Sequence, residues 1–382
     1  MHHHLLTVAA IGMAFFSPLS CAQDSNVVLY GKLNLDMETV SAAGGTGTDA
    51  HTGRISNNSS LLGLRGEEAL GGGLSAFFQI ESAVGVDTGS GTLAGRNSGV
   101  GLRSAAGTIL MGQWDTPYKD ATLKLDPFTN KTFAGYGAVL YGNKSVTVAN
   151  AVTRQSFDRR QKNLLQYWTP DAGHGVRARL AYGAREEQGS CAVACDPGMW
   201  SAAASYEQGP LSLMAAYERH DQYANTASVQ TRDSAVKLGA LYRHGGTSFS
   251  AIAERLAYRG NLAATGLNRT FVPGSASEAS LRNYWMAVSH RYGAQTWRAA
   301  YGQSGDVRLD SGGKGARTAE TGMRYWAVGY GYAASKRTEL YWMYARIDNK
   351  AQANSDFAIN GVTGVSNGAH PAGFGIGMTH AF

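Results

Sequence analysis

The sequence predicts an all-β fold, a 16-stranded antiparallel transmembrane β-barrel, on three observations. Segments of alternating Leu, Phe, Tyr and Val recur about sixteen times, and the connections between them switch between short and long at every step. The last ten residues, Gly373 to Phe382, alternate without a break, with Phe374, Ile376, Met378, His380 and Phe382 on one face and Gly, Thr and Ala on the other. A chain that stops on such a strand is placed to close a barrel. Alternation of this kind also suits a soluble sheet, so composition has to separate the two.

Charged residues make up 16% of the chain, against roughly 25% in ordinary soluble domains. Gly reaches 49 of 382 and aromatics 10%, and no Pro- or Ser-rich linker divides the chain, which reads as one domain over residues 23–382. Residues 1–22 read as a signal peptide: Leu5 to Phe16 is apolar, and Ser20-Cys21-Ala22 supplies small residues before Gln23. His2, His3 and His4 stand where Lys or Arg is usual. Cys21 raises lipidation, but Pro18 sits where a lipidation signal wants Leu, so cleavage after Ala22 is favoured. No other segment approaches the roughly 18 consecutive apolar residues of a spanning helix, so any membrane crossing is made by strands.

The strands are expected at 27–40, 56–67, 74–86, 96–105, 108–115, 160–169, 176–186, 198–207, 211–221, 234–243, 247–258, 281–292, 295–304, 322–333, 337–348 and 372–382. Short turns fall at 69–73, 106–107, 170–175, 208–210, 244–246, 293–294 and 334–336. Long connections fall at 41–55, 87–95, 116–159, 187–197, 222–233, 259–280, 305–321 and 349–371. One end with tight turns and the other with long loops is the pattern of outer-membrane barrels. Proline lacks an amide hydrogen and breaks a ladder; every Pro of the mature chain falls at a turn, loop or strand end. Aromatics near strand ends, among them Trp168, Tyr258, Trp285, Tyr325 and Tyr341, read as interfacial girdles or as ordinary core.

Two cysteines remain after cleavage, Cys191 and Cys195, in a long connection. Two readings stay open: a disulfide staple in an oxidising compartment, or two free thiols. A metal site is disfavoured, because no His lies nearby in sequence and two thiols leave two of zinc's four positions unfilled. No catalytic motif and no cofactor-binding motif occurs; Gly-x-Gly pairs such as those in Val328 to Tyr332 lie inside strands, and the histidines are isolated. Basic residues are scattered without a nucleic-acid-binding motif, so no nucleic-acid partner is expected.

The run Leu62 to Glu81 (LGLRGEEALGGGLSAFFQIE) resembles the second and third strands, with their turn, of the general porins of Gram-negative bacteria, betaproteobacterial (neisserial-type) branch. So do Val27 to Leu35 (VVLYGKLNL), Gly112 to Tyr118 (GQWDTPY) leading to Leu125-Asp126-Pro127-Phe128, and the closing Gly377 to Phe382 (GMTHAF). The similarity covers essentially the whole mature chain. It implies an outer-membrane homotrimer, embedded in lipid and lipopolysaccharide, that passes ions and small hydrophilic solutes by passive diffusion. It also implies that the third long loop, 116–159, folds inward as the constriction. That loop is the longest connection, well beyond the ~12–15 residues at which a loop is expected to need a function.

By that resemblance the basic wall carries Arg96, Arg154 and Arg160, with Arg65, Lys32 and Asp36 on lumen-facing parity. The loop offers the acidic groups Asp115, Asp120 and Asp126, with Lys119, Lys124 and Lys131 among them. Leu61 stands where these porins commonly have an inward Arg, and Gly99 and Gly101 blur the parity that would place Arg103. Net charge is +6, 34 basic against 28 acidic, none of it in the signal peptide, which favours weak anion preference. The alternatives are a substrate-specific channel for a sugar or organic anion, and a secreted all-β binding protein.

Overall fold

The computed structural model describes residues 26–129, 132–141, 157–170, 175–184, 197–222, 232–259, 278–311, 314–317 and 319–382. The expected signal peptide lies outside the described residues, as do Lys131, Arg154, Cys191 and Cys195.

The strands are β1 (Asn26–Ala43), β2 (Ala50–Asn57), β3 (Leu61–Gly71), β4 (Leu74–Gly85), β5 (Ser90–Thr92), β6 (Ser98–Ser104) and β7 (Gly107–Asp115). After the short helix α1 (Pro117–Asp120) come β8 (Arg160–Trp168), β9 (Val176–Gly183), β10 (Gly198–Gln208), β11 (Leu211–Asp221), β12 (Arg232–His244), β13 (Thr247–Arg259), β14 (Glu278–Tyr292) and β15 (Gln295–Ser304). The chain ends with β16 (Arg308–Ser311), β17 (Lys314–Arg317), β18 (Met323–Ala333), β19 (Thr338–Asn349) and β20 (His370–Ala381). With β2 and β3 forming one interrupted stave, and β5, β16 and β17 set aside as short additions to the loops, sixteen staves remain among the described residues. Each pairs antiparallel with its neighbours in sequence. The last pairs with the first, from Lys32 opposite Ala381 to Ala43 opposite His370. Among the described residues, no stave is left with an open edge.

Side chains alternate as the pleat requires. Along β1, Asn34, Asp36, Glu38, Val40 and Ala42 are buried on one side while Met37 and Thr39 are exposed on the other. On β13, Ser250, Ile252 and Glu254 are buried; Phe249, Ala251 and Ala253 are exposed. The exposed face carries Leu62, Leu64, Phe78, Ile80, Leu213, Leu238, Met286, Trp297 and Ile376, a band of large apolar side chains that a water-facing surface would not tolerate. Polar groups line the inside.

Most strand expectations agree with the pairing, and the departures have local causes. The second stave starts at Ala50, not at residue 56, because β1 and β2 continue as a hairpin with only residues 44–49 between them. The stave then breaks at residues 58–60. Ser59 takes a positive φ of 58°, and β1 stitches the break: Asn34 N–H donates to Ser60 Oγ (2.9 Å) and Asn58 N–H to Asn34 O (2.8 Å). A hairpin, β16–β17, occupies the connection after β15 and pairs β14. Pro371 is the second residue of β20 rather than a loop residue, at a strand end where a missing donor is tolerated. Trp168, Tyr258, Trp285, Tyr325 and Tyr341 do not join the girdles. They lie on the inward face, whereas Tyr167, Trp200, Tyr217, Tyr242, Tyr284, Trp326 and Phe382 face outward.

Closure is sealed at the last residue. Gly31 and Phe382 exchange backbone hydrogen bonds at 3.1 and 3.0 Å, and the Phe382 ring lies where a Cβ on Gly31 would be. Gly31→Leu forces the ring away from the seam, an overpacking of about 1–3 kcal/mol. The midpoint of heat denaturation of the folded barrel, read by its gel mobility shift, falls in this variant; an unchanged midpoint contradicts the contact.

Candidate pore constriction

The third long loop leaves β7 at Asp115 and returns at Arg160, which are cross-strand partners. Arg160 Nη2 lies 3.1 Å from the Asp115 carboxylate and its Nε donates to Asn97 Oδ1 (2.8 Å). Lys119 completes the neck, with Nζ 3.1 Å from Asp115 and 2.8 Å from Asp158. Burial disfavours the Lys119 ammonium, but Asp115 and Asp158 outweigh it and hold its pKa above the ordinary lysine value. Pro117 opens α1 where no amide donor is needed, and Thr116 Oγ1 accepts from Lys119 N–H (3.3 Å).

From there the described part of the loop lies against the inward face. Glu254 on β13 is its main anchor: it accepts from Tyr118 Oη (2.7 Å), from Tyr141 N–H (2.9 Å) and from Asn283 Nδ2 (2.7 Å). Lys237 donates to Thr122 Oγ1 (2.9 Å) and sits over the rings of Tyr118 and Tyr141, 4.2 and 4.7 Å from their centroids. Ser250 donates to Leu125 O (2.7 Å), and Tyr325 to Ala134 O (2.6 Å). Between these bonds the loop packs into space left by glycines. A Cβ on Gly239 would meet Leu125, on Gly302 Val139, on Gly329 Phe128, and on Gly373 or Gly375 Phe133. The described part of the loop therefore lies against the β10–β20 side of the interior.

The last long loop covers this seat from above: Phe357 packs on Phe133 with ring centroids 5.4 Å apart, and Arg54 donates to Gly361 O (3.0 Å). Asp356 in this loop has its carboxyl pushed up to about 7, chiefly by burial.

The remaining arc carries most of the charges. Arg65 lies over Tyr30, 5.3 Å from the ring centroid. Arg96 pairs with Glu81, Arg103 with Glu67 while stacking on Phe77 (4.1 Å), Arg179 with Asp120 of the loop, and Lys124 of the loop with Glu207. Arg179 also stacks on Trp168 at 4.8 Å. On the loop's other flank a cavity of about 180 Å³ is lined by Lys32, Phe128, Arg298, Glu339 and Tyr341, with Arg298 Nη2 2.6 Å from Glu339.

Sequence-assigned residues thus divide into groups. Arg65, Arg96 and Lys32 stand on the inner wall, and Arg103 joins them. Asp120 faces a wall arginine, as a loop carboxylate should, but that partner is Arg179. Asp115 and Arg160 meet each other at the neck instead of facing across a gap. Asp126 spends its carboxylate inside the loop, accepting from Phe128 N–H and Tyr136 N–H at 2.9 Å each. Asp36 is inward and buried beside Glu38 and Tyr341, and Leu61 is inward and 8% exposed, as its position predicts. Arg177, Arg179 and Arg298 were not singled out from the sequence. Strand parity alone could have found all three.

Two outcomes follow. Glu254→Ala removes three hydrogen bonds and leaves their donors buried, a cost of roughly 2–5 kcal/mol; the loop loosens and open-channel current noise rises in single-channel records, while noise at the level of the unaltered protein would contradict this anchor. The Asp356 carboxyl is protonated more readily in the docked loop than at its ordinary value of 3.8, so docking is strongest below that value and weakens as pH rises through about 7. A spin label at Thr363, with Cys191 and Cys195 replaced by Ser, gains mobility between about pH 5 and about pH 8. Asp356→Asn abolishes that change.

The chain matches the Gram-negative porin family over residues 7–352. It is 26% identical over 381 residues to outer membrane porin protein 32 of Delftia acidovorans, covering 98% of this chain and 99% of that one. Among solved structures, an anion-selective porin from Comamonas acidovorans superposes with a TM-score of 0.75 at 24% identity, over 94% of this chain and 100% of that chain. The trimer form of OmpT, an outer membrane protein of Vibrio cholerae, gives 0.64 at 14% identity, over 94% and 99%. A closed barrel of sixteen staves, apolar outside and charged inside, and a family match spanning most of its length place this chain in the Gram-negative porin family, in the outer membrane.

Proposed function

We propose that this porin is a general diffusion channel for ions and small hydrophilic solutes, weakly anion selective, working as a homotrimer. The observation that carries the selectivity is the surplus of basic groups on the part of the inner wall that the described loop leaves uncovered. Arg65, Arg96, Arg103, Arg177, Arg179, Arg298 and Lys32 stand there against Glu67, Glu81, Glu207 and Glu339, while the inward carboxylates Asp36, Glu38, Glu218, Asp233 and Glu254 are buried, as is Lys237. Low-dielectric walls focus the field of such a surplus into the water path. The preference is weak because Arg96, Arg103, Arg179 and Arg298 each face a carboxylate at contact distance, so only the excess acts on a passing ion. Two likenesses support the reading: the Comamonas acidovorans porin is described as anion-selective, and the Vibrio cholerae barrel as a trimer. Passage is passive diffusion, and no chemical step is assigned to any residue.

Purified protein in a planar lipid bilayer gives ohmic conductance steps, and a salt gradient gives a reversal potential of the sign set by anions. Arg65→Glu and Arg96→Ala each move that potential toward cations. Arg160→Ala moves it less, because Lys119 still neutralises Asp115. A reversal potential indifferent to Arg65 and Arg96 rejects the filter; saturable block by a solute favours a substrate-specific channel.

A further inference from the structure

Between the third loop and the wall formed by β1, β15 and β19 lies a cavity of about 180 Å³. Pro127, Phe128 and Thr132 close it from the loop side, and Lys32, Arg298, Glu339 and Met343 from the wall. Register sets its two ends. Lys32 lies opposite Ala381, at the short-turn end. At the inner end Met343 lies opposite Gly375, and a Cβ on Gly375 would meet the ring of Phe133, the residue after Thr132. The middle is apolar: Phe128 sits over Gly329, whose cross-strand partner is Met343.

Most polar groups of the lining are already committed. Arg298 Nη2 holds Glu339 at 2.6 Å, and Tyr341 Oη donates to Asn34 Oδ1 (2.8 Å) while accepting from Asn58 Nδ2 (3.2 Å). Two groups are placed to take a solute. Thr132 is 7% exposed, yet its Oγ1 has no hydrogen-bond partner among the described residues, which leaves a buried hydroxyl one bond short. Lys32 brings an ammonium with three donors, and with Arg298 against Glu339, two cations to one carboxylate, it gives the lining one net positive charge. An apolar cavity of about 150 Å³ holds a benzene ring. This one therefore takes a single ring with small substituents and excludes drug-sized ligands, which need roughly 300 Å³ or more. An aromatic ring suits the apolar middle, where it packs edge-on or offset against Phe128. A hexose would press its hydroxyls on Pro127, Phe128 and Met343, which have no polar side-chain group to answer them.

We propose that this cavity is a solute subsite for a small hydroxylated aromatic monocarboxylate, with the carboxylate held by Lys32, the ring against Phe128 and Met343, and the ring hydroxyl bonded to Thr132 Oγ1. The single net positive charge, at the short-turn end, matches a monoanion; the unpaired hydroxyl, at the inner end, matches a hydroxyl. The site rests on the reading of the chain as a channel for small solutes, which gives the solute access. It does not depend on the ion preference of that channel.

The test titrates the detergent-purified protein by isothermal calorimetry with 4-hydroxybenzoate, benzoate, 4-hydroxybenzyl alcohol, acetate and glucose. 4-Hydroxybenzoate binds saturably, one per chain. Benzoate, which lacks the hydroxyl, binds at least threefold more weakly, and 4-hydroxybenzyl alcohol, acetate and glucose at least tenfold. Lys32→Gln lowers the affinity for 4-hydroxybenzoate at least tenfold, and Thr132→Val brings it down to that for benzoate; the heat-dependent gel mobility shift confirms that both variants form the barrel. Chloride conductance of the same preparation in a planar bilayer reads the channel separately. Conductance without 4-hydroxybenzoate binding overturns the site and leaves the channel, and binding without conductance does the reverse. Benzoate, acetate or glucose bound as tightly as 4-hydroxybenzoate, or undiminished binding by Lys32→Gln, also overturns the proposal.

Discussion

In hydrocarbon a backbone N–H or C=O has no water to turn to, and each one left unpaired costs several kcal/mol. The rest of this structure depends on that constraint. It requires the sheet to close, which β1 and β20 do over twelve residue pairs, with Phe382 folded over Gly31 at the seam. Closure in turn sets an inside and an outside for every residue of every stave. The period-two pattern of the sequence is the consequence, with Leu, Ile, Val, Met and aromatics turned to lipid and charge, hydroxyl and glycine turned to the water path.

An inside lined with charges has to be kept both open and ordered. The third loop meets this by spending its own backbone and aromatic groups on the wall: Glu254 holds Tyr118 and Tyr141, Ser250 and Tyr325 hold carbonyl groups, and Lys237 sits between two tyrosine rings. Five inward glycines leave the space it fills. With one side of the interior occupied by the described part of this loop, the inner wall it leaves uncovered is the arc that holds Arg65, Arg96, Arg103 and Arg179. Most of these are paired, and pairing turns a strong field into a mild one. Pairing also fixes the long side chains, so the path keeps one shape.

The barrel was legible in the sequence because lipid and water impose a two-residue alternation that survives in almost any stretch of ten residues. Loop and turn alternation was legible for the same reason, since tight glycine turns and long polar runs differ in composition. What escaped was whatever depends on register. Asp115 and Arg160 are 45 positions apart, and only the pairing of β7 with β8 makes them partners at the neck. Asp126 looks like a free loop carboxylate until Phe128 and Tyr136 are seen to donate to it. Trp285 and Tyr325 carry the same residue types as girdle aromatics, and single-residue parity decides that they hold the loop. The break at residues 58–60 is held by Asn34, 26 positions from Ser60, which no local signal connects.

The central claim is that hydrocarbon lies on one side of each ribbon and water on the other. Single cysteines placed along β4, with Cys191 and Cys195 replaced by Ser, and exposed in intact membranes to a small, charged, water-soluble thiol reagent, test it most directly. Cysteines at Ser75, Gln79 and Glu81 react, and those at Leu74, Phe78 and Ile80 stay protected. Labelling that runs through consecutive positions, or that favours the Leu74, Phe78 and Ile80 set, contradicts the account.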